Sequence, residues 1–129
     1  MKAVVVKEQG AAATVVDDLK TPEPADDQVL VKSIYTAINP VCVFSCEDPA
    51  HMLTSFSDAY MAFSGILVLK WPLVLGCDAA GVVVKAGSKA QGPLGPLKVG
   101  DEVLGCTRLG DYPYSTCQEH VSSVMLCDP

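Results

Sequence analysis

Pro72-Leu73-Val74-Leu75-Gly76-Cys77-Asp78-Ala79-Ala80-Gly81-Val82-Val83-Val84, closed by Gly87-Ser88 and followed by Lys98-Val99-Gly100-Asp101-Glu102-Val103, is the stretch on which the fold turns. Its β-branched runs predict strands over 73–75, 79–85 and 102–104. Gly76 and Gly81 flank a short segment that must enter a tightly packed strand, where a side chain would obstruct close backbone approach. Gly87 suits a positive-φ turn ending that strand. Gly100-Asp101 is a turn pair, the glycine accepting left-handed geometry and the aspartate bonding nearby backbone.

Outward from this stretch the same texture continues. Residues 4–6 and 14–16 are short β-branched runs separated by Gly10. Residues 20–27 form a connector, because Pro22 and Pro24 remove donors and restrict their neighbours. Residues 28–38 are the longest strand candidate, apolar on both faces and therefore expected to be covered on both sides. Across 49–65 the period changes: Met52, Phe56, Tyr60 and Phe63 recur at helical spacing and predict an amphipathic helix with that stripe in the core. Residues 86–100 carry four glycines and two prolines and read as an irregular loop. Residues 117–121 and 124–126 complete the strands. Many short strands with one helical insert make a mainly β, β-rich α+β chain, a barrel-like single domain over 1–129.

Composition narrows the function classes. Half of the residues are apolar, enough for a core, which excludes a disordered chain. The net charge is −6 and the nine basic residues are scattered, so no basic stripe exists to neutralise a nucleic-acid backbone. Lys7 and Glu8 interrupt the first apolar run too early for an export signal. Lys70 and Pro72 keep the most apolar run, 61–75, short of the roughly 18–20 residues a membrane helix needs. The expectation is a cytoplasmic protein bound to neither nucleic acid nor membrane. Without a secretory segment, Cys42, Cys46, Cys77, Cys106, Cys117 and Cys127 read as reduced thiols, several of them buried.

Three stretches carry a family resemblance: Val29-Leu30-Val31-Lys32 with Ala37-Ile38-Asn39-Pro40-Val41, the segment 72–88, and Lys98-Val99-Gly100-Asp101-Glu102-Val103. In this order they resemble the N-terminal, GroES-like catalytic-domain segment of medium-chain dehydrogenases/reductases, specifically the zinc-independent quinone oxidoreductases and fungal trans-acting enoyl reductases. The resemblance implies a GroES-like, partly open β-barrel with one or two helices and no Rossmann domain. It implies the substrate side of an NADPH-dependent reductase acting on an enoyl, quinone or polyketide-like small molecule. No strand here is followed by G-x-G-x-x-G, and the prolines of Gly92-Pro93-Leu94-Gly95-Pro96 remove donors that would cradle phosphate. The chain is thus expected to be a truncated member that holds no cofactor and transfers no hydride alone. An interface left without its partner domain would favour a homo-oligomer, with a dimer the simplest form.

The resemblance also assigns sites. Asn39 and Pro40 match the segment beside the nicotinamide in zinc-independent relatives, although Cys42 replaces the aspartate that follows there. In the zinc-dependent branch the metal-binding cysteine falls at Asn39, the histidine at Cys77 and the glutamate at Asp78. An amide at the first position removes a strong ligand, so no metal is expected, and a set made from Cys77, Asp78 and Cys42 or Cys46 matches no standard zinc spacing. Tyr35 and Thr36 are candidates to face the cleft. If the shortened domain serves instead as a cofactor-free cyclase, dehydratase or isomerase of secondary metabolism, Asn39, Tyr35, Asp78 and His51 would supply its catalytic polar contacts. A non-catalytic binding module is the third reading. His51 and His120, the only histidines, otherwise read as ordinary surface or core residues.

Overall fold

The computed structural model describes residues 1–37, 58–66, 68–107 and 112–123. Within them nine strands and one helix follow one another in chain order. They are β1 (Ala3–Val6), β2 (Thr14–Val16), β3 (Val29–Ala37), α1 (Asp58–Ser64), β4 (Leu73–Val74), β5 (Asp78–Ala86), β6 (Gln91–Gly92), β7 (Gly95–Pro96), β8 (Glu102–Cys106) and β9 (His120–Ser123). A small sheet is ordered β2-β1-β4 and a larger one β8-β5-β3-β9, all neighbours antiparallel.

A seam joins the two sheets. Alternate β1 residues bond toward β2, and Val4 bonds the other way. Its N–H donates to Cys117 O at 2.8 Å while its carbonyl accepts from Leu75 N at 3.3 Å. Ala3 bridges Gln118, and Lys2 and Glu119 exchange Glu119 N to Lys2 O at 3.0 Å and Lys2 N to Glu119 Oε2 at 2.8 Å. Among the described residues no ladder joins β2 to β8. The barrel is therefore open on that side, as the resemblance implied.

The glycines act much as their spacing suggests, with one exception. Gly76 has φ +87° and a Cβ there would stand 2.8 Å from Cys117 Sγ, so both conformation and contact demand glycine. Gly100 has φ +98°, and Asp101 Oδ2 accepts from Lys98 N at 2.7 Å to close the turn. Gly87 is not in the left-handed region. Its missing side chain instead admits the carbonyls of Ala25 and Asp26 from the connector, so the reason is close approach and not turn geometry.

Three other expectations change. The 86–100 loop contains the β6–β7 hairpin turning at Pro93-Leu94, and it sends Ala90 and Leu97 into a core with Val29, Val31, Val83 and Val103. That cover reaches only the start of β3: Val29, Leu30 and Val31 are buried, whereas Ile34 and Tyr35 are exposed. The described helix covers 58–64; Met52, Phe56 and the side chain of Tyr60 lie outside the described residues, and of the stripe only Phe63 is seen, 75% exposed, while Met61 packs with Val6 and Leu73. The turn after β1 fixes this orientation. Gly10 N donates to Ala62 O at 2.9 Å and Gln9 Nε2 to Ser64 O at 3.0 Å, satisfying carbonyls that a helix end leaves unpaired.

Candidate functional site

Antiparallel register builds the site. On β3, Tyr35, Thr36 and Ala37 stand opposite Ala80, Ala79 and Asp78 of β5, and β5 in turn sets Asp78, Ala79 and Ala80 opposite Cys106, Gly105 and Leu104 of β8. Larger side chains thus rim a centre of alanine and glycine. Small residues there leave a void of about 400 Å³, lined by these nine residues. Tyr35, 74% exposed, and Leu104 border it, and its lining is mainly apolar with Thr36, Asp78 and Cys106 as the polar groups.

Backbone contacts hold the polar groups in place. Thr36 Oγ1 lies 3.0 Å from Asp78 O and 2.8 Å from Thr116 Oγ1, tying β3 to the start of β5 and to the seam. Thr107 N–H donates to Cys77 O at 2.6 Å, and its hydroxyl, 2.5 Å from Tyr114 O and 3.1 Å from Cys77 O, secures the same corner. Cys77 Sγ donates to Asp78 Oδ2 at 3.4 Å. The Gly76 turn delivers Cys77 and Asp78 here, and the β5–β8 register delivers Cys106, so the ligand atoms of Cys77, Asp78 and Cys106 all lie within 4.8 Å of one another.

The Cys106 thiol is pushed above its ordinary value, first by partial desolvation and then by the Asp78 carboxylate, whose charge and hydrogen bond both favour the protonated form. A hydrogen bond with Cys77 opposes them. Thiolate is the reactive form. Cys106 is therefore expected to alkylate with iodoacetamide at neutral pH more slowly than an unperturbed thiol, despite being exposed. Asp78→Asn is expected to speed it several-fold, with desolvation preserving part of the protection. Mass spectrometry of the Cys106 peptide reads the rate. An unchanged rate in Asp78→Asn would remove Asp78 as a cause.

Of the residues singled out in the sequence, Tyr35, Thr36 and Asp78 meet at this void. Asn39, Pro40, His51, Cys42 and Cys46 lie outside the described residues. His120 sits on β9 opposite Lys32, its Nδ1 buried without a hydrogen-bond partner among the described residues, and does not line the void. Cys106 is what sequence reasoning missed. The pairing of 78–82 with 102–106 could have revealed it, since matching the two valine-rich runs places Cys106 opposite Asp78.

The glycine-rich hairpin does not fit a dinucleotide's diphosphate. Gly92-Pro93-Leu94-Gly95 is the tip of a two-stranded hairpin with no helix behind it, so it offers neither a cradle of N–H groups nor a helix N-terminus for a diphosphate.

Comparison with known proteins places this geometry. The profile of the alcohol dehydrogenase GroES-like domain matches residues 25–125. A 2-methylene-furan-3-one reductase of Solanum lycopersicum is 38% identical over 88 residues, covering 68% of this chain and 18% of the relative. The trans-enoyl reductase milB of Cordyceps militaris is 34% identical over 106 residues, covering 82% of this chain and 24% of the relative. The crystal structure of Escherichia coli quinone oxidoreductase complexed with NADPH superposes on 96% of this chain with a TM-score of 0.65 and 20% identity, using 31% of its own length. The chain spans less than a quarter of the length of these two curated relatives.

Proposed function

The chain belongs to the alcohol dehydrogenase GroES-like domain family, and from that membership we propose that it forms the substrate-side wall of a zinc-independent, NADPH-dependent reductase of the enoyl or quinone type. The observation that carries this reading is the shallow, mostly apolar void between β3, β5 and β8, sized for a small planar molecule and bordered by the exposed Tyr35 and Leu104. Relatives named as enoyl and furanone reductases support the substrate class. An open wall favours a domain that shares its site over an enclosed cyclase pocket.

In this reading NADPH supplies the hydride from a separate nucleotide-binding domain. The residues of this chain orient the acceptor and exclude water around it: Tyr35 and Leu104 flank an unsaturated chain, and Thr36 and Asp78 supply the polar contacts. The exposed Ile34, Tyr35 and Leu104 are the surface for that domain or for a second copy, in a homo-oligomer of the cytoplasm.

Calorimetry on the 129 residues is expected to give no binding of NADPH at micromolar concentration, while a short enoyl or quinone compound shifts the amide resonances of Ala79, Ala80 and Gly105. Micromolar NADPH affinity, or reduction of any acceptor by the chain unaided, would overturn the proposal.

A further inference from the structure

We propose that the loop before β9 closes over one internal water molecule, held by Ser115, Gln118 and Ser122 at a site separate from the void. Ser115 and Ser122 are 0% exposed and Gln118 is 5% exposed. Ser115 Oγ, Gln118 Oε1 and Ser122 Oγ nonetheless have no hydrogen-bond partner among the described residues. Buried polar groups in folded proteins are nearly always paired, so three unpaired oxygens in one short stretch call for a ligand.

One backbone oxygen gathers them. The Pro113 carbonyl accepts from Gln118 Nε2 at 3.0 Å and from Ser122 N at 3.2 Å. Gln118 Nε2 also donates to Ser115 O at 2.7 Å. Both partners of that amide nitrogen are carbonyl oxygens, which only accept, so the NH2 end is fixed between them with both hydrogens engaged. Gln118 Oε1 is left with lone pairs alone, beside two serines whose backbone is tied to the same group. The three side-chain oxygens do not bond one another, and a bridging molecule is what joins polar groups spaced in that way.

The balance of donors selects water. Gln118 Oε1 needs a donor, and each serine hydroxyl has one hydrogen to give and lone pairs to fill. A cation would fill the lone pairs and leave two buried hydroxyl hydrogens without acceptors. An anion would leave Oε1 without a donor. Water donates to Oε1 and to one hydroxyl and accepts from the other, within the two to four polar partners of an internal water. None of the three residues lines the void, so the inference is independent of the reductase reading. The role of the water lies at the seam between the sheets. The same loop carries Thr116, whose Oγ1 lies 2.8 Å from Thr36 Oγ1, and Cys117, whose carbonyl accepts from Val4 N. Water bridging Ser115 and Gln118 to Ser122 keeps that loop seated on β9.

Oxygen-17 relaxation dispersion of the solvent tests this, because it detects long-lived internal water and is blind to exchanging hydroxyl protons. The 129-residue chain is expected to show at least one such water. Ser115→Ala/Ser122→Ala adds no bulk and keeps the bonds of Gln118 Nε2 to backbone, but leaves the water a single partner, too few to hold it. Its dispersion amplitude is expected to fall by one water per chain, and its urea midpoint to fall because Gln118 Oε1 loses its donor. An amplitude equal to the parent's, or no dispersion in the parent, would overturn the site. So would a midpoint at or above the parent's, since deleting two unpaired hydroxyls from a dry interior costs no stability. Circular dichroism checks that the double variant folds. If it does not, a crystal structure of the parent decides: a solvent peak within hydrogen-bond reach of Gln118 Oε1 supports the site, and its absence sinks it. None of these readouts involves NADPH or an acceptor.

Discussion

Gly81→Ala is expected to leave no stably folded chain, or one weakened by more than about 4 kcal/mol. A β-carbon at position 81 would collide with the carbonyl oxygen of Lys32 and stand 2.8 Å from Val31 Cγ1 and 3.0 Å from the Lys32 carbonyl carbon. Ordinary overpacking costs about 1–3 kcal/mol because side chains can rotate away. Here the obstacle is backbone in the middle of the β3–β5 ladder, where Ser33 pairs with Gly81, so relief means opening that ladder. Losses above about 4 kcal/mol are exceptional and take up much of the roughly 5–15 kcal/mol that holds a domain together. Urea unfolding followed by circular dichroism measures it. A variant within about 1 kcal/mol of the parent would mean that the two strands do not approach as described.

Met61→Ala is the second large effect, expected to cost about 2–5 kcal/mol. Met61 is 1% exposed and packs with Val6 and Leu73, with Ala11, Val68, Trp71 and Leu75 around them. Truncation removes a flexible side chain that fills the space between the helix and the small sheet, and the cavity adds to the lost transfer energy. Met61→Leu conserves volume and should cost less than about 1.5 kcal/mol. Phe63→Ala is the matched control: at 75% exposure it should change stability by no more than about 0.5 kcal/mol. Equal losses for Met61→Ala and Phe63→Ala would reverse the assignment of the buried face.

That pair of variants also marks where sequence reading stops. Apolar spacing locates the helix, but Phe63 and Met61 are both hydrophobic and only two residues apart, so periodicity cannot choose between their faces. The choice is tertiary, made by the bonds from Gln9 and Gly10 to the last carbonyls of α1. Strand positions are legible because Val4–Val6, Val82–Val84 and their like leave little else for the backbone to do, and the bounds agree closely along β1, β2, β5 and β8. The 86–100 segment hides its strands because its prolines look like breakers. Pro93 instead sits at the hairpin tip, and Pro96, which has no N–H to donate, ends a two-residue strand. In the site, Tyr35, Thr36 and Asp78 can be named because they flank recognisable strands. Cys106 cannot, since its partnership depends on how β8 registers against β5.

The seam between the sheets has a consequence for biogenesis. Lys2 and Glu119 are bonded across a sequence separation of 117, and β1 cannot satisfy both of its edges until residues 117–119 arrive. Loop closure of that length must be met before the contacts that reward it, which slows folding. A chain emerging from the ribosome would thus carry its first strand incompletely paired until residues 117–119 follow it, an interval in which a chaperone that shields extended segments has something to hold.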